Sequence, residues 1–338
     1  MIDKDTTILI TGGTGSFGKK FIEVVLNKYP YIKKLIVFSR DELKQWELQQ
    51  IYPESAFPQL RFFLGDIRDQ SRLKRALEGV DIVIHAAALK QVPAAEYNPF
   101  EFIKTNVIGS DNLINACLDS RVKVVISLST DKASSPINLY GASKLCADKL
   151  FIAANNIKGS RDLKFTVVRY GNVMGSRGSV IPLFIEKSKT GTIPVTDFNM
   201  TRFNITLRNA VDMVLWSIEN SFGGEIVVPK IPSYKILDLV NAIAPNCSVE
   251  EIGLRPGEKI HEEMISVYDS HFTLDIGNYY LIFPSNNILF SEYINENPKA
   301  KKVPSGFSYT SEKNVKYLTI NEIRKLIKLN INESFEPV

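Results

Sequence analysis

A glycine cluster wedged between a short apolar strand and an amphipathic helix constrains this chain more than any other feature. Thr7-Ile8-Leu9-Ile10 is apolar and β-branched, and it runs directly into Thr11-Gly12-Gly13-Thr14-Gly15-Ser16-Phe17-Gly18. A helical pattern follows from about Phe17 to Tyr29, with Phe21, Val24 and Val25 on one side. Glycines in this context allow a tight turn, a close approach of a pyrophosphate to backbone N–H groups, and close packing of helix on strand. Two registers fit: Gly12, Gly15 and Gly18 as GxxGxxG, or Gly13, Gly15 and Gly18 as GxGxxG. Thr14, Ser16 and Phe17 lie in the same turn and are candidate cofactor contacts.

The alternation of strand and helix continues. Leu35 to Phe38, Leu60 to Leu64, Asp81 to Ala86, Lys123 to Ser127 and Phe165 to Arg169 read as buried strands. Helices lie between them, including one around Phe100 to Ser120 and one from about Leu139 to Asn155. Continuous apolar strands separated by helices predict an α/β fold, a doubly wound parallel sheet of Rossmann type covered on both faces. The rhythm breaks after about Tyr170, where segments shorten and gain Gly, Pro and Arg. The expected division is a dinucleotide-binding domain over 1–170 and a smaller substrate lobe with a C-terminal tail over 171–338. Gly223 to Val228 reads as a strand within this lobe, and segments from about 205–228 are expected to return to the first domain. Thr319, with Glu322 three residues on, predicts a capped terminal helix.

Charge and cysteine content narrow the class. The chain has 41 Lys and Arg against 37 Asp and Glu, a net +4, too balanced to point to nucleic acid. Its 44% hydrophobic and 23% charged residues exclude wholesale disorder and a polytopic membrane protein. Cys117, Cys146 and Cys247 lack zinc spacing, and His85, His261 and His271 are far apart, so no metal site is expected. The thiols read as buried groups in a reducing compartment. Met1 to Asp5 is polar and leads straight into the first strand, and no apolar run approaches the ~20 residues of a membrane span. A cytoplasmic protein without membrane insertion is expected.

The end of the second strand speaks to the choice of dinucleotide. An acidic residue about twenty positions past the glycine loop would hold a ribose 2′-hydroxyl and favour NAD. Here Ser39, Arg40 and Lys44 offer a hydroxyl and two cations suited to a 2′-phosphate, which favours NADP, while Asp41 keeps NAD open. Asp66, ending the third strand, is a candidate for the adenine edge or a helix cap.

Tyr140 and Lys144 stand four residues apart on one helix face. A nearby cation would lower the phenol's pKa, so that the phenolate accepts a proton from a sugar hydroxyl as hydride leaves for the cofactor. The helix follows Ser127-Leu-Ser-Thr130-Asp131-Lys132, a loop ending a central strand, where α/β sheets bind ligands. Thr130 is placed to bond the same hydroxyl.

The Gly loop, Ser129-Thr130 and the Tyr140/Lys144 pair resemble the extended short-chain dehydrogenases/reductases. Three stretches narrow the match: His85-Ala-Ala-Ala-Leu-Lys-Gln-Val-Pro93, Ser129-Thr-Asp-Lys-Ala133 and Tyr170-Gly-Asn-Val-Met-Gly-Ser-Arg-Gly-Ser-Val-Ile-Pro182. They resemble the inverting UDP-N-acetylglucosamine 4,6-dehydratases. Asn138 to Lys144, Val228 to Pro232 and Arg255-Pro-Gly-Glu-Lys259 bring the chain closest to the branch that opens pseudaminic-acid biosynthesis. The resemblance runs from about Ile8 to about Glu262.

It implies oxidation at sugar carbon 4, loss of water across carbons 5 and 6, hydride return to carbon 6, and epimerisation at carbon 5. The product would be UDP-2-acetamido-2,6-dideoxy-β-L-arabino-hexos-4-ulose, and a tightly bound NADP would be regenerated each turnover. Retaining relatives carry Asp-Glu where this chain has Asp131-Lys132. Lys132, with a pKa depressed by desolvation, is assigned as base at carbon 5, and Asp131 as acid toward the leaving hydroxyl. Ile67, Ala87 and Lys90 join the cofactor contacts. Lys90, Lys132, Asn172, Ser179, Val180 and Thr201 are expected at the substrate, with Arg177, Arg202 and Arg255 toward the UDP pyrophosphate and Glu258 toward ribose. His85, Trp46 and Trp216 are read as packing residues. Gln91 and Asn204 depart from the family, which often has His and Trp there. A homo-oligomer, dimer or hexamer, is expected to pack through the Phe100–Ser120 and Leu139–Asn155 helices. Two other readings stay open: a 4-epimerase or retaining dehydratase, and a non-catalytic NADP-binding regulator.

Overall fold

Six short, largely apolar strands of the first half alternate with helices, and all but the edge strand Leu60–Leu64 are largely buried. They are β1 (Thr7–Thr11), β2 (Lys34–Ser39), β3 (Leu60–Leu64), β4 (Ile82–His85), β5 (Val124–Thr130) and β6 (Lys164–Tyr170). The computed structural model of the chain describes residues 2–176, 178–284 and 287–338. The intervening helices are α1 (Ser16–Lys28), α2 (Glu42–Ile51), α3 (Gln70–Ala76), α4 (Val92–Tyr97), α5 (Pro99–Phe102), α6 (Gly109–Leu118) and α7 (Leu139–Ile157). Their starts follow from local chemistry: Asp41, Asp69 and Asn138 accept backbone N–H groups at the first turns of α2, α3 and α7.

The main sheet runs in the order β3-β2-β1-β4-β5-β6, all parallel. Strand Ile226–Pro229 then adds parallel to β6, and Tyr279–Ile282, Thr273–Asp275 and Lys301–Lys302 extend the sheet antiparallel. The strand order reverses between β1 and β4, which opens a crevice at the carboxyl ends of both. The expected strand near Gly223 to Val228 is therefore part of the main sheet. Helix Leu207–Asn220 packs on α1, in the same core.

A second apolar cluster forms around Met174, Phe184, Ile193, Tyr234, Val240, Ile323 and Ile327. Above it lies a three-stranded sheet of Ser233–Lys235, Thr201–Ile205 and Asn172–Val173. Helix Ile320–Asn330 closes this cluster, and Thr319 and Glu322 form its capping box.

Local differences from the sequence reading have physical causes. The helix expected over Phe100 to Ser120 contains a π-helical turn at Ile103–Ile108. That turn swings Asn106 inward, where it bonds both the N–H and the C=O of Leu89 at 2.9 Å and donates to Ser143 Oγ at 3.0 Å. The extra residue thus ties the loop after β4 to α7, in line with the tendency of π-turns to sit at functional sites. Trp46 is not a packing residue: it is 56% exposed, because α2 turns it outward. Cys146 is exposed on α7 rather than buried. Among the described residues, no helix is long and apolar enough to cross a membrane.

Candidate active site

The glycine turn resolves into the GxxGxxG register. Gly12 has φ 66°, and a Cβ there would lie 2.8 Å from the Ala87 backbone. Gly18 lets α1 pack on the turn, since a Cβ would lie 2.3 Å from the Gly13 carbonyl oxygen. Gly15 caps the start of α1, and a Cβ there would meet only the Gly12 carbonyl. Gly13 presses instead on the Val37 side chain. The first turn of α1 carries no acidic residue, so its N–H groups face the crevice with the helix dipole unopposed.

A cavity of about 660 Å³ occupies this crevice. Gly12, Thr14, Gly15, Ser16, Phe17, Gly18, Ser39, Arg40, Lys44, Asp66, Ile67, Ala87, Lys90, Thr130, Tyr140 and Lys144, all expected at the cofactor or the chemistry, line it. Its shape and its glycine cradle fit a dinucleotide lying across the switch point, with the pyrophosphate on α1. At the ribose end the cations are partly engaged: Lys44 is ion-paired with Asp41, and Ser39 Oγ accepts from Gln45 Nε2 at 3.0 Å. Arg40 is exposed, 3.9 Å from Asp66. Burial opposes the Asp66 carboxylate, but hydrogen bonds from Arg68 outweigh it and hold its pKa below the usual range.

A second cavity of about 580 Å³ adjoins the first, and Lys90, Gln91, Lys132, Asn172 and Ser179 line both. Val180, Arg202, Arg255 and Glu258 line the second alone. The Ser179 hydroxyl is buried without a partner. Arg255 is exposed and 4.0 Å from Glu258. Arg177 lies outside the described residues.

Two of the residues expected at the substrate are engaged by the protein itself. Arg202 does not present a free guanidinium face: it donates to the carbonyls of Thr201, Lys259 and Ile260 at 2.7 to 2.9 Å and sits near Glu258 and Glu262. Thr201 lines neither cavity, because its buried hydroxyl bonds His261 Nδ1 and Ser311 Oγ at 2.8 and 2.7 Å. Asn204, the departure from the family, is buried in the same strand and pairs with Asn172.

The chemistry-bearing groups meet where β5 ends. Thr130 Oγ1 donates to Asp131 Oδ1 at 2.9 Å, and Lys132 Nζ lies 3.1 Å from that same oxygen. Nζ also lies 3.0 Å from Glu262 Oε1 and 3.5 Å from Asn172 Oδ1. Burial and the Glu262 charge raise the Asp131 pKa against the pull of Lys132 and Thr130. Lys132 behaves opposite to expectation. Burial alone would lower its pKa, but Asp131 and Glu262 outweigh it and the ammonium is stabilised. Tyr140 is likewise not lowered: burial pushes its phenol up to about 12, with Lys132 and Thr130 opposing.

Beneath this surface lies a group the sequence reading missed. Asp148, four residues after Lys144 on α7, is fully buried and accepts from Ser129 Oγ at 2.7 Å and Arg169 Nη2 at 3.2 Å. Burial lowers the Lys144 pKa and the Asp148 charge opposes that. The i to i+4 spacing was a visible signal for Asp148; Glu262 had none, since it arrives from a distant loop. His85 is a packed core histidine, bonded to Thr11 Oγ1 at 2.8 Å and near Ser110 Oγ at 3.4 Å.

Known proteins share this arrangement. Residues 8–284 match the family described as "Polysaccharide biosynthesis protein". A UDP-N-acetylglucosamine 4,6-dehydratase (inverting) from Campylobacter jejuni is 52% identical over 334 residues, covering 97% of this chain and 98% of that protein. The X-ray structure of Pen from Bacillus thuringiensis superposes with a TM-score of 0.88 at 37% identity, covering 99% of this chain and 100% of that one. DesIV, a dTDP-glucose 4,6-dehydratase from Streptomyces venezuelae with NAD and TYD bound, superposes with a TM-score of 0.66 at 26% identity, over 75% of this chain and 87% of that one. With its glycine turn, its Tyr140/Lys144 pair and its Asp131-Lys132 couple in place, the chain belongs to the inverting UDP-N-acetylglucosamine 4,6-dehydratases, within the extended short-chain dehydrogenases/reductases.

Proposed function

We infer that this chain removes water from UDP-N-acetylglucosamine with inversion at carbon 5, giving UDP-2-acetamido-2,6-dideoxy-β-L-arabino-hexos-4-ulose. The observation that carries the reading is the Asp131-Lys132 couple at the end of β5 beside Thr130 and Tyr140, Asp131 buried and Lys132 half-buried, with both residues lining the crevice and Lys132 reaching into the second cavity. An epimerase needs Tyr140 and Lys144 but has no use for an adjacent acid and base.

A dinucleotide held by the glycine turn would supply hydride acceptance from carbon 4 and its return to carbon 6. Tyr140, as the phenolate that the Lys144 charge stabilises, takes the proton of the 4-hydroxyl and becomes the neutral phenol, with Thr130 beside it. A ketone at carbon 4 makes the hydrogen on carbon 5 acidic. Lys132, as the amine, takes that proton, and the electron pair moves toward the ketone oxygen. Asp131, whose pKa burial and the Glu262 charge push up from the ordinary carboxylate value, gives its proton to the carbon 6 hydroxyl as that bond breaks.

Arg40 points to NADP rather than NAD. Lys90, Asn172, Ser179, Val180, Arg255 and Glu258 form the sugar-nucleotide subsite. We assign residues 1–170 to cofactor binding and 171–338 to substrate binding, with 205–228 returning to the first. A cytoplasmic homo-oligomer feeding pseudaminic acid or a related surface glycan completes the reading.

The test is incubation with UDP-N-acetylglucosamine in heavy water, followed by proton NMR. A 4-keto-6-deoxy product with deuterium and inverted configuration at carbon 5 supports the reading. Retained configuration removes the role given to Lys132, and no turnover with dinucleotide bound favours the regulator.

A further inference from the structure

Lys132 is held by one carboxylate more than the elimination uses. Besides Asp131, its Nζ meets Glu262 Oε1 at 3.0 Å. Glu262 arrives from the segment joining Arg255-Pro-Gly-Glu-Lys259 to strand Glu263–Ile265, and it lines the second cavity. Its backbone is clamped on both sides by Ser311: the Glu262 N–H donates to Ser311 Oγ at 2.9 Å, and the Glu262 carbonyl accepts from Ser311 N at 2.8 Å. Glu262 is 2% exposed, and its second carboxylate oxygen, Oε2, is buried without a hydrogen-bond partner. Asp131 Oδ2 is in the same condition. Unpartnered buried carboxylate oxygens cost stability, and a buried ion pair returns little of that cost, so folding alone does not account for this arrangement.

We propose that Glu262 is a positioning residue for proton transfer at carbon 5: its carboxylate seats Lys132 Nζ and sets the pH at which Lys132 becomes a free amine. The proposal rests on the assignment of Lys132 as base. In the amine form, an N–H bond forms at Nζ as the carbon 5–hydrogen bond breaks, and the electron pair passes to the ketone oxygen as an enolate. Several groups face Lys132. Asp131 lies on the same turn, Arg202 comes from strand Thr201–Ile205, Lys90 follows β4, Tyr140 comes from α7 and Tyr234 from strand Ser233–Lys235; Lys259 faces Glu262. Asp131 changes charge during turnover in the proposed scheme. Glu262, whose pKa stays low because Lys132 and Arg202 outweigh its burial, is the constant anion.

The experiment is the pH dependence of kcat for the dinucleotide-loaded enzyme with saturating UDP-N-acetylglucosamine, in wild type, Glu262→Gln and Glu262→Asp. Removing the anion lowers the pH at which Lys132 gives up its proton. Glu262→Gln should reach its kcat plateau at least about one pH unit below wild type, with KM changed less than about threefold. Glu262→Asp, whose carboxylate is drawn back by one methylene, should fall between the two. An unmoved profile with a lower melting temperature would show that Glu262 only holds its loop, and would overturn the proposal. If Glu262→Gln does not fold, Glu262→Asp carries the test alone, and an unmoved plateau overturns it. Deuterium exchange at carbon 5 in Lys132→Ala separates the two levels. Exchange that persists there removes the base assignment itself; exchange that is lost, beside an unmoved Glu262 profile, removes only the role of Glu262.

Discussion

Asp148→Asn tests the buried charge beneath the Tyr140/Lys144 pair. Asp148 accepts from Ser129 and Arg169, and Arg169 is only 3% exposed, with Nη1 donating to the Met264 carbonyl at 3.1 Å. An asparagine oxygen keeps the Ser129 bond but leaves Arg169 as a buried guanidinium with no anion. Breaking one side of such a pair costs about 3–5 kcal/mol. For 338 residues, an unfolding entropy of about 2.1 cal/mol/K per residue sums to about 0.7 kcal/mol/K, so Tm should fall by about 4–7 °C. The Lys144 ammonium also loses its supporting charge, so kcat should fall while KM for the sugar nucleotide hardly changes. Thermal melts of Asp148→Asn, Arg169→Met and the double variant, at about 0.1 M and about 1 M salt, provide the assay. A buried pair is little screened, so the loss should persist at high salt. The double variant should lose less than the sum of the single losses, because removing both charges leaves no orphan. A Tm change below about 1 °C, or strictly additive losses, would refute the reasoning.

Other consequences follow from single residues. His85 is held neutral by burial and by the Lys144 charge, with its pKa lowered to about 3, whereas the unfolded chain protonates it near 6.5. Its contribution to stability is therefore complete above pH 6.5 and is lost as pH falls toward 3, by about 2 kcal/mol at pH 5. Urea melts across this range should show a flatter acid limb for His85→Asn. Gly18→Ala drives a Cβ into the Gly13 backbone, so α1 must shift. Dinucleotide affinity should drop at least about tenfold in a fluorescence titration, since the pyrophosphate site is the start of that helix. Thr319→Ala removes one half of a capping box and should cost about 1 kcal/mol, or about 1–2 °C in a thermal melt, without touching kcat.

The sequence by itself determined whatever depends on local pattern. The apolar runs and their spacing specified β1 to β6 and the doubly wound sheet, because strands buried on both faces read as near-continuous apolar runs. The glycine turn, the Tyr140/Lys144 spacing and the Asp131-Lys132 couple were legible because each lies within a few residues of chain. The choice between the two glycine registers needed the structure, which places Gly12 against Ala87, 75 positions away. Only tertiary structure decided the charge states. Lys132 was expected to be lowered by desolvation, yet the neighbouring Asp131, joined by Glu262 from a segment 130 residues on, reverses the balance. Arg202 and Thr201 looked like ligand contacts from their motif, but the chain folds back so that the carbonyls of Lys259 and Ile260, with His261 and Ser311, occupy their donors. Coulomb and hydrogen-bond energies depend on distance in space, and sequence separation says nothing about that distance until the fold is closed.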